Sequence, residues 1–226
     1  MITKRILFGV PVVKSWINPD LYDKSNIVKA IHHNYKIDPN RNEWPGGEYS
    51  NIHHSYNDWK NPKFKKIDFS KLINVYKKVI VDSINTYRFK GRVDITAFIR
   101  NYTCMKTTQS MQQHNHVSPY RQIDNEHHTD FTSIHYIKFN EKKHIPTMYV
   151  NSQAWSKYYD HMCPKHKSFL DDTYTENSFI FDEYQLDVLE DDIVFVPSIL
   201  EHHIPIQTSD ETRITIVSNI SITKPK

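Results

Sequence analysis

The sequence predicts a mainly β protein with a helical front, a β-sandwich or jelly roll with helices packed on one sheet. Two observations carry this. The one long stripe of apolar residues at helical spacing lies before residue 90, and beyond it come seven short β-branched or aromatic runs separated by polar turns. A third is what is missing: there are only 4 glycines, and no glycine-rich phosphate loop of either common spelling occurs.

Taken in order, Ile6 to Val13 is a short apolar run interrupted by a proline, which suits an edge strand. Asp20 to Tyr35 reads as a helix, with Leu21, Ile27, Val28 and Ile31 at three- and four-residue steps. Residues 39–62 are rich in Asn, Pro, Gly and His and read as a loop. Asp68 to Tyr87 is the strongest helix: Leu72, Val75, Tyr76, Val79, Ile80, Ser83, Ile84 and Tyr87 form one stripe, and Asp68 or Ser70 can cap its start. Strands are then expected at Val93–Met105, Met111–Val117, Phe131–Phe139, Thr147–Val150, Ser178–Tyr184, Ile193–Ile199 and Arg213–Ile222. The 226 residues are expected to form one domain, residues 1–90 supporting a jelly-roll core over 91–226.

Composition narrows the function. Twenty-nine Lys and Arg against 26 Asp and Glu leave a formal charge of +3, which does not suggest a nucleic-acid or membrane-surface partner. No apolar run approaches the ~20 residues that span a bilayer, and a cytoplasmic location is expected. Cys104 and Cys163 lack any paired spacing and read as buried thiols. The 14 histidines carry the information.

His128-Thr129-Asp130 stands just before a predicted strand, and His202 closes a later one. Two imidazoles and one carboxylate on a β-scaffold make the facial triad of non-haem Fe(II) oxygenases, which leaves adjacent positions for a bidentate cosubstrate and O2. Arg213 opens the following strand, where a hairpin could return it to the same pocket to grip a carboxylate. A second pair competes for the proximal position. His114 and His116 share one strand face by the period-two rule but bring no carboxylate, whereas His128 and Asp130 have the right chemistry behind a poor strand. A bland reading also stands: Asp130 caps a turn, His202 sits in a surface loop and Arg213 pairs with Asp210 or Glu211. His135 reads as a packed strand residue on the face opposite Tyr136.

The segments Ile-Val-Phe-Val-Pro-Ser-Ile-Leu-Glu-His-His-Ile-Pro (193–205) and Arg-Ile-Thr-Ile-Val-Ser-Asn (213–219) resemble the ending of 2-oxoglutarate/Fe(II) oxygenases of the marine phage and bacterial type, related to the prolyl hydroxylases. The opening Leu-Phe-Gly-Val-Pro-Val and the central Phe-Thr-Ser-Ile-His-Tyr-Ile-Lys-Phe are similar to that group's starts and middle strands. The resemblance implies a double-stranded β-helix that binds Fe(II), 2-oxoglutarate and O2 and hydroxylates a small molecule or a protein side chain, in the host cytoplasm if phage-encoded. It puts His202, rather than His203, at the distal metal position, Arg213 on the cosubstrate carboxylate, and the Tyr136 hydroxyl in support of that carboxylate. The alternatives are a cupin-like dioxygenase using His114, His116 and His202 without 2-oxoglutarate, and a non-catalytic jelly-roll binding protein. Residues 39–66 and 152–177, long and aromatic, are where substrate specificity is expected.

Overall fold

The computed structural model describes residues 2–7, 10–39, 52–55, 61–87, 89, 91–116, 129–151 and 183–225. Among them, two antiparallel sheets face each other. The larger holds β1 (Thr3–Leu7), β2 (Val10–Trp16), β3 (His53–His54), β4 (Asp94–Met105), β6 (Phe131–Lys138), β9 (Asp192–Pro197) and β11 (Arg213–Thr223), in the order β1-β2-β9-β6-β11-β4-β3. The smaller holds β5 (Met111–His114), β7 (Met148–Val150), β8 (Glu183–Gln185) and β10 (His202–Ile204), in the order β5-β10-β7-β8. Each connection β4-β5, β6-β7 and β10-β11 crosses from one sheet to the other, the jelly-roll arrangement that the sequence predicts.

Alternation sorts the side chains of the large sheet. On β11, Ile214, Ile216 and Ile220 join Tyr102, Cys104, Phe131, Ile137 and Phe195 in a core on the outer face, completed by two helices. The opposite parity faces the small sheet, where Ile134, Tyr136, Val194 and Val196 meet Tyr149, Leu186 and Leu200. Pairing of β11 with β4 runs from Arg213↔Met105 to Thr223↔Asp94, with one slip between Val217 and Ser218, so that Val217 pairs Asn101 and Ser218 pairs Ile99. Arg100 is the extra residue. It reverses the parity of β4, so Ile95, Ala97 and Ile99 pack outward while Asn101 and Thr103 point inward.

Helix α1 (Lys24–Ile37) is capped by Asp23, whose carboxylate accepts the Asn26 N–H, and buries Ile27, Ile31 and Asn34. Helix α2 (Ser70–Asn85) buries Leu72, Tyr76, Ile80, Ser83 and Ile84, the predicted stripe. Asp68 Oδ1 accepts the Ser70 N–H at 2.9 Å. No helix among the described residues is long and apolar enough to cross a membrane.

A polar anchor fixes both helices to the sheet. His135, fully buried on the outer face, takes the Tyr76 hydroxyl on Nδ1 at 2.8 Å and turns Nε2 toward Asp191, 3.8 Å away. Asp191 also receives Lys24 at 2.7 and 2.8 Å and the Tyr22 hydroxyl at 3.2 Å. Burial alone would raise the Asp191 carboxyl, but the His135 contact and the Lys24 ammonium outweigh it and hold it below its ordinary value. Burial pushes His135 down, so it stays neutral. Asp191 adopts φ 68°, and its N–H donates to the Tyr136 carbonyl at 2.8 Å.

Several boundaries differ from expectation. The strand expected over residues 6–13 is two, β1 and β2, folded back so that Leu7 pairs Val10. The first helix starts later because Asn18 and Pro19 build a separate 3-10 turn, Pro19–Leu21. The predicted loop at 39–62 contributes the two-residue β3, which pairs with β4. Of the strand expected at Ser178–Tyr184, residues 178–182 lie outside the described residues and Glu183–Gln185 forms β8, and β10 is a strand of its own rather than the end of the one before it. Cys104 is buried, which pushes its thiol up, and Cys163 lies outside the described residues.

Two measurements test this packing. Ile80→Ala should cost about 2 to 5 kcal/mol in urea unfolding, while Val81→Ala, on the exposed side of the same helix, should stay within about 0.5 kcal/mol; equal losses would mean that α2 does not dock by this stripe. Burial also lowers His32 and His144. Because the folded state holds these and His135 below the unfolded value of about 6.5, unfolding takes up protons, and the stability present above that pH is lost as pH falls through it. The urea midpoint should therefore be lower at pH 5.5 than at pH 7.5, and a midpoint that rises would contradict the buried neutral histidines.

Candidate metal centre and anion seat

Three histidines converge between the sheets. His114 ends β5, His202 opens β10, and the two are cross-strand partners. His116, two residues beyond His114, is held by its N–H to the Ser198 carbonyl at 2.9 Å. One ligand nitrogen from each ring lies within 4.8 Å of the others. The rings of His116 and His202 are nearly parallel at 5.2 Å, and those of His114 and His202 lie 4.4 Å apart.

Their tautomers follow from their partners. His202 Nδ1 faces the Leu200 carbonyl at 3.1 Å and His114 Nδ1 the Gln112 carbonyl at 2.8 Å. A carbonyl only accepts, so both Nδ1 atoms carry the proton and Nε2 carries the lone pair that a cation takes. The cavity they border is further lined by Asn101, Thr103, Thr147 and Thr215 and by the apolar Met111, Ile134, Ile204 and Val217. Thr103 and Thr215 share a 2.8 Å hydrogen bond.

Beside Thr147 lies Arg213, with 0% of its surface exposed. Nη2 donates to Thr147 Oγ1 at 3.1 Å, Nη1 meets the Met105 sulfur at 3.5 Å, and Cζ stands 5.3 Å from the Tyr136 ring centroid. The Tyr136 hydroxyl accepts the Thr147 N–H at 3.2 Å. Among the described residues no carboxylate pairs with Arg213, and Nε–H has no hydrogen-bond partner. Burial disfavours the charged guanidinium and lowers its pKa, against the opposing pull of Tyr136. A charge so placed is costly unless a partner arrives.

The structure thus gathers His202, the rival pair His114 and His116, Arg213 and Tyr136 into one region. It does not bring Asp130 there. That residue is exposed, and its Oδ2 accepts the Ile222 N–H at 2.7 Å, because it stands just before β6, where its own N–H donates to the Ile220 carbonyl near the end of β11. His128 lies outside the described residues. His203, neighbour of His202, points the other way, 3.2 Å from Glu183. Arg213 pairs with neither Asp210 nor Glu211; Glu211 is the partner of Lys143. Sequence reasoning passed over Asn101 and Tyr149, although strand alternation places Tyr149 on the same face as Thr147.

No protein-family model and no curated protein matches the chain. Among solved structures it is similar to a prolyl-4-hydroxylase of Pseudomonas putida, with 11% identity, TM-score 0.48, and 97% of this chain and 91% of that one covered. It is similar to a viral collagen prolyl hydroxylase of Paramecium Bursaria Chlorella virus-1, solved as a 2-oxoglutarate complex, with 11% identity, TM-score 0.47, and 92% and 94% covered. A third is HygX from Streptomyces hygroscopicus with nickel and 2-oxoglutarate bound, with 10% identity, TM-score 0.40, and 93% and 82% covered.

The ligand assignment is open to direct measurement with Co(II). Loss of outer-shell partners alone lowers metal affinity about 10- to 100-fold, so His202→Ala, which removes a ligand, should lose at least about 100-fold. His203→Ala and Asp130→Ala should bind as the parent does. Retained affinity in His202→Ala, or its loss in Asp130→Ala, would displace the three-histidine centre.

Proposed function

We propose that the chain is a non-haem Fe(II) dioxygenase that couples oxidative decarboxylation of 2-oxoglutarate to hydroxylation of a second substrate, a small molecule or a protein side chain, in the cytoplasm. The observation that carries this reading is Arg213: a buried guanidinium with an unpaired Nε–H, in the same interior as three clustered imidazoles. That combination suits a ligand with a carboxylate at one end and a metal-chelating group at the other.

His114, His116 and His202 would hold the iron, in place of the His128 and Asp130 pair that the sequence favours. The donor set fits a divalent first-row metal, since neutral imidazole suits iron among others. Bound iron would supply O2 activation and the two-electron oxidation of the 2-oxo acid. The rest falls to the protein. Arg213 would grip the distal carboxylate, and Tyr136 would brace the guanidinium through its ring and fix Thr147 through its hydroxyl. Met111, Ile134, Ile204 and Val217 form an apolar wall that limits water at the reacting end.

A second reading is favoured by the donor set itself. Three neutral ligands without a carboxylate among the described residues also suit a cupin-like dioxygenase that needs no 2-oxoglutarate. The two part at Arg213, which only the first uses.

Anaerobic titration of 2-oxoglutarate into the Fe(II)-loaded protein tests the choice. A weak visible charge-transfer band should develop on saturation. Losing a buried partner of a charge costs about 2 to 5 kcal/mol, so Arg213→Ala should weaken 2-oxoglutarate about 30-fold or more. Arg213→Lys should recover only part of it, because an ammonium lacks the planar fork. Equal affinities across the three proteins would remove the cosubstrate and leave the cupin-like reading.

A further inference from the structure

The formal charge of +3 conceals an uneven distribution. Where α1 meets the stretch that leads into α2, a groove of about 580 Å³ opens on the helical side of the molecule, across the large sheet from the histidines. Lys29 of α1, Lys65 and Lys66 of the connecting stretch and Lys71 in the first turn of α2 line it, and all four are exposed. Among the described residues none of the four forms a salt bridge. The two acids on the lining, Asp23 and Asp68, are committed to helix starts. Asp23 accepts from the Asn26 main chain and side chain, and Asp68 accepts the Ser70 N–H at 2.9 Å, with Lys71 a lesser influence on it.

The local sequence explains the walls. In Lys63-Phe64-Lys65-Lys66-Ile67, Phe64 is buried and Ile67 packs against the helical core, while the lysines stay in water. Asn34 of α1, fully buried, clamps this stretch at one residue: its Nδ2 donates to the Lys65 carbonyl at 3.0 Å and its Oδ1 accepts the Lys65 N–H at 2.7 Å. The main chain beneath the lysines is therefore fixed, and the ammonium groups gather around a floor of Ile27, Ala30 and Ile67. Gathering like charges opposes folding through their mutual repulsion, and an anion in the groove would relieve it.

Charge complementarity calls for an anion, and the floor decides which. A phosphate backbone has no apolar group to set against Ile27, Ala30 and Ile67, and the lining carries neither an arginine fork for phosphates nor an aromatic face for bases. An acidic polypeptide with apolar side chains between its carboxylates matches both walls and floor. We infer that the groove between α1 and the start of α2 docks such a segment of a partner protein, with Lys29, Lys65, Lys66 and Lys71 receiving its carboxylates. This surface is separate from the metal site and does not depend on its occupancy or on the cosubstrate reading.

The test is fluorescence anisotropy on the full chain with three labelled probes: a peptide of four Glu-Glu-Leu repeats, a polyglutamate of the same charge, and a short DNA duplex. The repeat peptide should bind best, with and without Co(II), and added salt should weaken it by screening exposed charges. An exposed ion pair is worth up to about fivefold in affinity, so Lys65→Glu with Lys66→Glu, which reverses two, should lose on the order of tenfold or more. Lys29→Glu with Lys71→Glu attacks the other walls and should lose as much, which keeps the test intact if one pair disturbs the fold. Lys142→Glu with Lys224→Glu makes the same change in net charge at exposed residues away from the groove and should bind as the parent does. No binding of the repeat peptide, or an equal loss in this last pair, would overturn the docking surface. Tighter binding of the duplex, lost in Lys65→Glu with Lys66→Glu, would overturn the polypeptide and put nucleic acid in its place. Self-association of the parent in sedimentation, lost in the same variant, would overturn a separate partner and seat a second copy of the chain there.

Discussion

The pairing of β11 with β4 on one side and β6 on the other governs the molecule. It is the longest ladder in the large sheet, and because successive side chains point to opposite faces, its register decides what enters the site and what enters the helix-packed core. Ile214, Ile216 and Ile220 go to the helices, and Arg213, Thr215 and Val217 go to the interior. A slip of one residue would turn Arg213 toward α1 and α2 and bring isoleucines against the histidines. The bulge at Arg100 matters for the same reason: it lets β4 keep an apolar outer face along its first half and present Asn101 and Thr103 inward along its second.

Charge sets the chemistry within that frame. Removing a guanidinium from water costs several kcal/mol, as a rough figure after relaxation, and Met105 and Thr147 return little of it. The neutral imidazoles add no negative charge to offset either Arg213 or a divalent cation. Under the proposed function, a dianionic ligand that spans both positions would relieve both deficits together and stabilise the folded chain on binding.

How legible all this is in the chain depends on the interaction involved. The α2 stripe, the alternation of the late strands and the inward position of Arg213 are local patterns, and a single sequence carries them. The proximal metal pair is different. His-x-Asp at 128–130 has the better chemistry on paper, but whether a side chain faces a site depends on which strand end lies opposite. Asp130 meets the N–H of Ile222, a residue far along the chain, while His114 faces His202 through the β5-β10 pairing. Tyr149 escaped notice because a tyrosine in a short apolar strand resembles any core aromatic; its peculiarity is an unpartnered hydroxyl, which only packing exposes.

The two halves of the site stand on different sheets, the histidines on β5 and β10 and the arginine on β11, so their separation depends on how the sheets are joined. Three connections cross between the sheets at the arginine end, residues 106–110, 139–147 and 205–212, and Gln207 ties all three. Its N–H donates to the Gln109 carbonyl and its carbonyl accepts the Thr108 N–H, its side-chain oxygen accepts the Ile145 N–H at 3.0 Å, and its side-chain nitrogen donates to the Ile145 and Pro205 carbonyls at 3.0 Å. His144 adds a second tie, taking the Asn140 N–H on Nδ1 and reaching the Glu211 carbonyl with Nε2. These bonds fix Thr147 at the end of one connection and Arg213 at the end of another. On the far side, the Asp191 N–H holds the Tyr136 carbonyl and the anchor of His135, Tyr76 and Lys24 stiffens the sheet behind it. If the site receives a carboxylate at one end and a chelating group at the other, as the proposed function has it, it tolerates little error in that spacing, and the buried amide of Gln207 ties together the three connections that set it.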